Sequence, residues 1–499
     1  MADVGTVIVG AGFAGIGTAI ALDRRRMSDY LILEAGGEPG GTWYWNTYPG
    51  IAVDIPSFSY QFSFEQSTAW SRTYAPGDEL KAYAAHCVDK YGLRARIRFG
   101  TTVRAADFDE AAGLWRLTLE SADGPATLTA RYLVNAGGVL TVPKAPDIAG
   151  VDTFAGATMH TARWDHDLDL RGKRVAVIGT GASAVQVIPE IAPIVKQLTV
   201  FQRTPIWCFP KFDVPLSATA RTLLRLPFGR SVQRLLSQAF VELTFPLAAQ
   251  YFTVNPMAKR MDAVGRSYLR RQVHDPVVRD KLTPRYAVGC KRPGFHNTYL
   301  STYNRADVEL VTEPIAEITR AGVVTDDGRL REVDVLVLAT GFHVLDAEHV
   351  PTFPVTGPGG RSLAQFWDEH RLQAYEGVSI PGFPNFFTVF GPYGYVGSSY
   401  FALIEAQTRH IVRCLAEARR RGANRVEVRS QANDRYFAEM MRKRHRQIFW
   451  QDSCRRANSY YFDQHGDVPL RPASTVEAYW RSRRFPIDDY EFAAVEVVS

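Results

Sequence analysis

Cysteine is scarce in this chain: five residues in 499, at positions 87, 208, 290, 414 and 454, with no C-x-x-C spacing among them. That pattern excludes a zinc ribbon or a dithiol redox centre and argues against a disulfide framework. No metal site is expected, and a reducing cytoplasm is the expected setting. Long hydrophobic runs are missing too. The longest, residues 240–254, contains Glu242, Pro246 and Gln250, and is too short and too interrupted to cross a bilayer. The chain is expected to enter a strand almost at once, so no signal peptide is expected. No Lys/Arg block occurs, and a net charge of +6 spread over this length describes a solvated surface plus a pocket for a phosphorylated cofactor, not a nucleic-acid track. Low-complexity tracts are absent.

What is present is a globular composition, 46% hydrophobic and 22% charged. One core cannot serve a chain this long, so two or three domains are expected. Thr6-Val7-Ile8-Val9 is a β-branched run suited to a strand buried on both faces. It enters Gly10-Ala11-Gly12-Phe13-Ala14-Gly15 and a helical segment to about Asp23. Tyr30-Leu31-Ile32-Leu33 then returns as a strand ending at Glu34. The same theme recurs in Arg174-Val175-Ala176-Val177-Ile178, the loop Gly179 to Ala184, a helix through Ile191 and the strand Gln197-Leu198-Thr199-Val200-Phe201. Two further strands end alike, in Asn135-Ala136-Gly137-Gly138 and in Thr340-Gly341-Phe342.

The expected fold class is α/β, with two Rossmann-like dinucleotide-binding domains, the second inserted in the first. Residues 1–150 and 341–499 would build the first domain with a C-terminal loop, and 151–214 with 281–340 the second. Residues 215–280 read as a helical insert, with Ser217 placed to cap its first helix.

The glycines carry the chemistry. In the first loop Gly10 allows the tight turn, Gly12 lets a pyrophosphate approach the helix N-terminus, and Gly15 lets helix and strand pack closely. Glu34 suits a ribose diol and repels a 2′-phosphate, so this site reads as FAD or NAD. The second loop has Gly179 and Gly181, with Ala184 at the third position. No carboxylate follows its return strand. Instead Arg203 can pair with a 2′-phosphate and Thr204 can add a hydrogen bond, so this site reads as NADPH. Arg203 as a plain surface charge is the alternative. Together the loops assign FAD first and NADPH second.

Between them lies a third pattern. Phe154, Gly156, His160, Trp164 and Asp165 fill F-x-G-x-x-x-H-x-x-x-W-[P/D], which resembles the fingerprint of type I Baeyer–Villiger monooxygenases. Gly40-Gly41-Thr42-Trp43, continuing through Tyr48-Pro49-Gly50 to Asp54, resembles the same family's G-G-x-W-x-x-x-x-Y-P-G-x-x-x-D signature.

The resemblance implies the roles. Gly41, Thr42 and Trp43 would lie at the FAD, Lys291 would help bind the NADPH 2′-phosphate, and Arg292, set by Asp54, would be the catalytic cation. On residues alone, Lys291-Arg292 is a basic dipeptide, most often solvated. His160 is implied to serve linker placement and domain motion, with a satisfied structural histidine as the equal alternative. The implied reaction passes a hydride from NADPH to FAD, captures O2 as a C4a-peroxyflavin and inserts oxygen beside a ketone carbonyl, giving an ester or lactone. Tyr400, Phe401 and Leu403 would face the flavin or substrate. Two departures from the family pattern, Tyr393-Gly394-Tyr395-Val396-Gly397 and Tyr460, fall where substrates are selected. Heteroatom oxygenation at N or S is the alternative activity.

Overall fold

The structure is a computed structural model that describes residues 2–226, 228–253, 260–344 and 346–494, the side chains of 245–248 excepted. Val4–Val9 lies inside the first sheet, parallel to Tyr30–Leu33 on one side and Gly124–Asn135 on the other, with Ile8 opposite both Ile32 and Val134. Its two faces explain its composition. Ile8 packs with Ile16 and Ile20 of the helix Phe13–Asp23, while Val7 and Val9 pack with Trp115 and Leu117 on the opposite face. Side chains alternate along a strand, so burial on both sides demands an unbroken apolar run. Full burial of one such side chain stabilises by about 1.5–3 kcal/mol.

The first sheet also has an antiparallel portion, which no sequence motif marks. The long strand Gly124–Asn135 pairs antiparallel with Leu114–Ser121, which pairs with Thr102–Asp109. Its C-terminal end then joins the parallel part, where Phe386–Thr388 flanks it. The second sheet is wholly parallel, in the order Val308–Val311, Gln197–Phe201, Arg174–Ile178, Val335–Leu338, Ala157–His160.

The chain passes between the sheets along two adjacent segments. Lys144 N donates to Gly341 O at 2.9 Å, and His343 N to Val142 O at 3.0 Å. Residues 215–280 hold the helices Ala218–Arg225, Gly229–Gln250, Met261–Gln272 and Pro276–Lys281. The Ser217 hydroxyl caps the first of them, accepting from Ala220 N at 3.1 Å. In the apolar run 240–254, the side chain of Pro246 and all of Val254 lie outside the described residues. Among the described residues no helix is long and apolar enough to cross a membrane.

One expectation is corrected. Cys290 and Cys454 form a disulfide, while Cys87, Cys208 and Cys414 are free and buried. A separation of 164 residues leaves no trace in cysteine spacing, because only the tertiary fold brings the two strands of chain together.

Candidate active site and cofactor sites

The two glycine loops have the same backbone. Gly10 sits at φ 101° and Gly179 at φ 114°, where a side chain is disfavoured. Each is pressed on a neighbouring strand end: a Cβ would stand 2.9 Å from Ala136 O at Gly10 and 2.4 Å from Ala339 O at Gly179. At Gly15 a Cβ would come 1.9 Å from Gly10 O, so only glycine lets helix and loop touch. Gly181 faces open space, and Ala184 is fully buried in the second core. Thr42–Trp45 forms one helical turn that brings Gly41 against Gly12. The Glu34 carboxylate is buried and accepts from Ala11 N at 2.6 Å and Gly36 N at 2.7 Å. Burial raises its pKa against the pull of those two amides.

Arg292 grips Asp54 with two prongs, Nε to Oδ2 at 2.6 Å and Nη2 to Oδ1 at 2.9 Å, across 238 residues of sequence. Burial opposes the charge on both, yet the pair wins: Asp54 is held below the usual carboxylate range by Arg292, with help from Lys211, and Arg292 is raised well above its ordinary value. The remaining arm, Nη1, reaches the Tyr395 hydroxyl at 3.5 Å. Burial pushes Tyr395 up to about 12, so it remains a protonated donor at neutral pH. Tyr460 and Tyr461 also feel the Arg292 charge.

Aromatic rings surround this pair. Tyr395 and Tyr400 are 5.4 Å apart, Phe390 and Tyr400 4.3 Å, and Trp43 Nε1 donates to the Tyr60 hydroxyl at 3.3 Å. Phe401 and Leu403 are fully buried; Phe401 packs among Phe13, Tyr60 and Phe62, so these two positions are core. Lys211 is a residue the sequence reading missed. No motif surrounds it, and only the fold sets its charge near Asp54.

At the second loop Lys291 is lowered to about 8, by burial first and by the Arg203 charge second. Thr204 accepts through its carbonyl from Thr180 Oγ1 at 3.0 Å and through its hydroxyl from Asn458 Nδ2 at 3.0 Å. Asn458 thereby ties the late loop to this corner, and the Cys290–Cys454 bridge ties the same loop to the residue before Lys291.

The fingerprint is not a free linker. Ala157–His160 is the edge strand of the second sheet, paired with Val335–Leu338, and a short 3-10 turn over Thr161–Arg163 follows. His160 Nδ1 accepts from Ala162 N at 3.0 Å, and burial lowers its pKa. Gly156 exists because Phe154 folds over it: a Cβ would meet the Phe154 ring at 2.6 Å and Asp334 O at 2.4 Å. Trp164 packs on the second core, and Asp165 Oδ1 accepts from Asp167 N at 3.0 Å. The segment seams the two units, with Arg163 over the Trp45 ring at 4.2 Å and His166 Nε2 at 2.8 Å from Thr47 Oγ1.

Two dinucleotide folds, one loop followed by a carboxylate and the other by a cation pair, define an oxidoreductase of the flavin and nicotinamide class. A family profile described as pyridine nucleotide-disulphide oxidoreductase matches residues 7–231. The chain is 37% identical to a protein named Baeyer-Villiger monooxygenase from Streptomyces coelicolor, over 98% of this chain and 92% of that one. A crystal structure of OTEMO in complex with FAD and NADP superposes with a TM-score of 0.87 at 29% identity, covering 99% of this chain and 100% of that one. The closed structure of cyclohexanone monooxygenase gives a TM-score of 0.87 at 29% identity, covering 99% of each. The chain belongs to the Baeyer–Villiger monooxygenases, as an FAD-containing, NADPH-dependent enzyme.

Proposed function

We propose that Arg292, oriented by Asp54, is the fixed cation of an oxygen insertion beside a ketone carbonyl that yields an ester or lactone. The observation that carries this is the two-pronged Arg292–Asp54 pair, held in an aromatic surround. A guanidinium cannot lose its proton at working pH, so its charge is always available to an oxyanion. Asp54 fixes the plane of the guanidinium and leaves Nη1 turned toward Tyr395. Lys211 adds positive potential near Asp54. Tyr395, Tyr460 and Tyr461 supply hydroxyls and apolar walls that favour a bulky, apolar ketone.

The residues fit both cofactors. Glu34 is a buried carboxylate satisfied by backbone amides alone, which leaves acceptor capacity for a ribose diol. Lys291 and Arg203 repel one another with no carboxylate paired to either among the described residues, which suits a 2′-phosphate. We assign FAD to Gly10, Gly12, Gly15, Glu34, Gly41, Thr42 and Trp43. NADPH goes to Gly179, Gly181, Ala184, Arg203, Thr204 and Lys291. When bound, these cofactors would supply the two electrons that activate O2, one of whose atoms is inserted beside the carbonyl while the other leaves as water. Phe154, Gly156, His160, Trp164 and Asp165 set how the two units meet. We keep 1–150 with 341–499 as the FAD unit and 151–340 as the NADP unit with its helical insert; the strand membership of the two sheets supports this. Cytoplasmic residence fits the three buried free thiols.

The test is aerobic turnover of FAD-loaded protein with NADPH and cyclic, aryl and long-chain ketones plus a thioether, products being read by mass spectrometry. Esters or lactones that disappear in Arg292→Ala support the assignment. Sulfoxide alone, or ketone oxidation that survives Arg292→Ala, overturns it.

A further inference from the structure

Just past the second crossover, three side chains converge that none of the chemistry above uses. His343 Nδ1 and His349 Nδ1 each stand 3.1 Å from the same oxygen, Asp346 Oδ2. The two imidazoles stack with centroids 4.1 Å apart and planes 15° from parallel. All three ligand atoms lie within 4.8 Å of one another, and no other group of His, Cys, Asp or Glu among the described residues does so.

The local backbone explains the convergence. His349 N and Val350 N both donate to Asp346 O, at 3.0 and 3.1 Å, so the chain turns back and delivers His349 over His343. Glu348 N donates to Asp346 Oδ1 at 3.1 Å, which fixes the carboxylate and leaves Oδ2 for the histidines. Upstream, His343 is itself held by its backbone bond to Val142.

The protein alone does not satisfy this arrangement. His343 Nδ1 makes a hydrogen bond to Asp346. His349 Nδ1, although equally close, is shut off from solvent and lies outside hydrogen-bonding geometry. No lysine or arginine is paired with Asp346 among the described residues. Two imidazoles and one carboxylate are a donor set for a borderline-soft divalent ion, which takes N and O ligands at about 2.0–2.2 Å. Hard ions such as Mg2+ prefer all-oxygen shells.

We propose that His343, Asp346 and His349 bind one divalent transition-metal ion, Zn2+ in the first place. The ion would fasten His343, Asp346 and His349 together beside the crossover between the two sheets. Three protein ligands leave a fourth position for water, and none of the three is a residue of the oxygenation assigned above, so the two readings fail independently.

The test is calorimetric titration of metal-stripped, untagged, FAD-loaded protein with Zn2+. Saturable binding of one ion per chain is expected, with no saturable Mg2+ binding. His343→Ala, His349→Ala and Asp346→Asn should each weaken it beyond the roughly 10- to 100-fold loss typical of an outer-shell partner. His274→Ala, an exposed histidine elsewhere, should not change it. Absence of saturable Zn2+ binding, or binding that survives all three substitutions, overturns the proposal. Should an alanine variant fail to fold, pulsed electron paramagnetic resonance of Cu2+ on the wild-type chain decides. Coupling to two imidazole nitrogens supports the site, and coordination without them overturns it.

Discussion

Gly12 and Gly41 press their backbones together beside the first nucleotide loop, yet the contact is not symmetric. A Cβ on Gly41 would stand 2.9 Å from the Gly12 Cα, at a φ of 56°. A Cβ on Gly12 would meet the Gly41 Cα at an ordinary 3.5 Å, at a φ of −74° that any residue adopts. The pair therefore separates a defect of fold from a defect of cofactor binding.

Gly12→Ala should leave the unfolding free energy of the cofactor-free protein within about 0.5 kcal/mol of the parent. It should nonetheless lower FAD retention at least tenfold, because the added methyl takes the space through which a pyrophosphate meets the helix N-terminus. Gel filtration with flavin absorbance measures the retention. A fully loaded Gly12→Ala protein would remove Gly12 from the site.

Arg292→Ala should still bind FAD and permit its reduction by NADPH, while ester formation falls by about 10²-fold or more, the cost of removing one preorganised charge stabiliser. Asp54→Asn should lose less, since the amide keeps one acceptor while the charge goes. Stopped-flow flavin reduction, set against product yield, distinguishes these outcomes from a general loss of folding.

The coenzyme preference should depend on pH in one direction. Lys291 is lowered from 10.5 to about 8 by burial and the Arg203 charge. It is charged below that value and neutral above it, so attraction to a 2′-phosphate is full below about pH 8 and fades as pH rises through it. The KM for NADPH should climb over that range while the KM for NADH stays flat, and Lys291→Ala should flatten the NADPH profile. Steady-state kinetics from pH 7 to 9 checks it; a flat NADPH profile in the parent would reject the role of Lys291.

Thiol titration of the denatured, unreduced chain should find three groups, rising to five after reduction, given the Cys290–Cys454 bridge and three free cysteines. Cys454→Ser should cost up to about 5 kcal/mol on a chain-entropy estimate for so long a loop. It should also raise the KM for NADPH, because the bridge holds the loop that carries Asn458 beside the residue that precedes Lys291.

Gly156→Ala should destabilise by about 1–3 kcal/mol through overpacking against Phe154 and the Asp334 carbonyl. Thermal unfolding would show the loss, with the flavin spectrum unchanged.

The two glycine loops, their strands and the acidic or cationic residue that follows each were legible in the chain itself. Those signals are local: a β-branched run, a turn that tolerates only glycine, and a helix start occupy about 30 consecutive residues, and spacing alone exposes them. Lys291-Arg292 was legible only through family likeness, since nothing in a basic dipeptide sets it apart from surface charge. The tertiary structure decided what depends on distant residues meeting. It paired Cys290 with Cys454, set Lys211 near Asp54, made the fingerprint an edge strand, and folded Thr102–Asp109 and Leu114–Ser121 antiparallel onto the long strand. It also turned three unremarkable residues, His343, Asp346 and His349, toward one point. Local propensity is written within a few residues of sequence, whereas these meetings are set by packing across hundreds of residues and leave no periodicity to read.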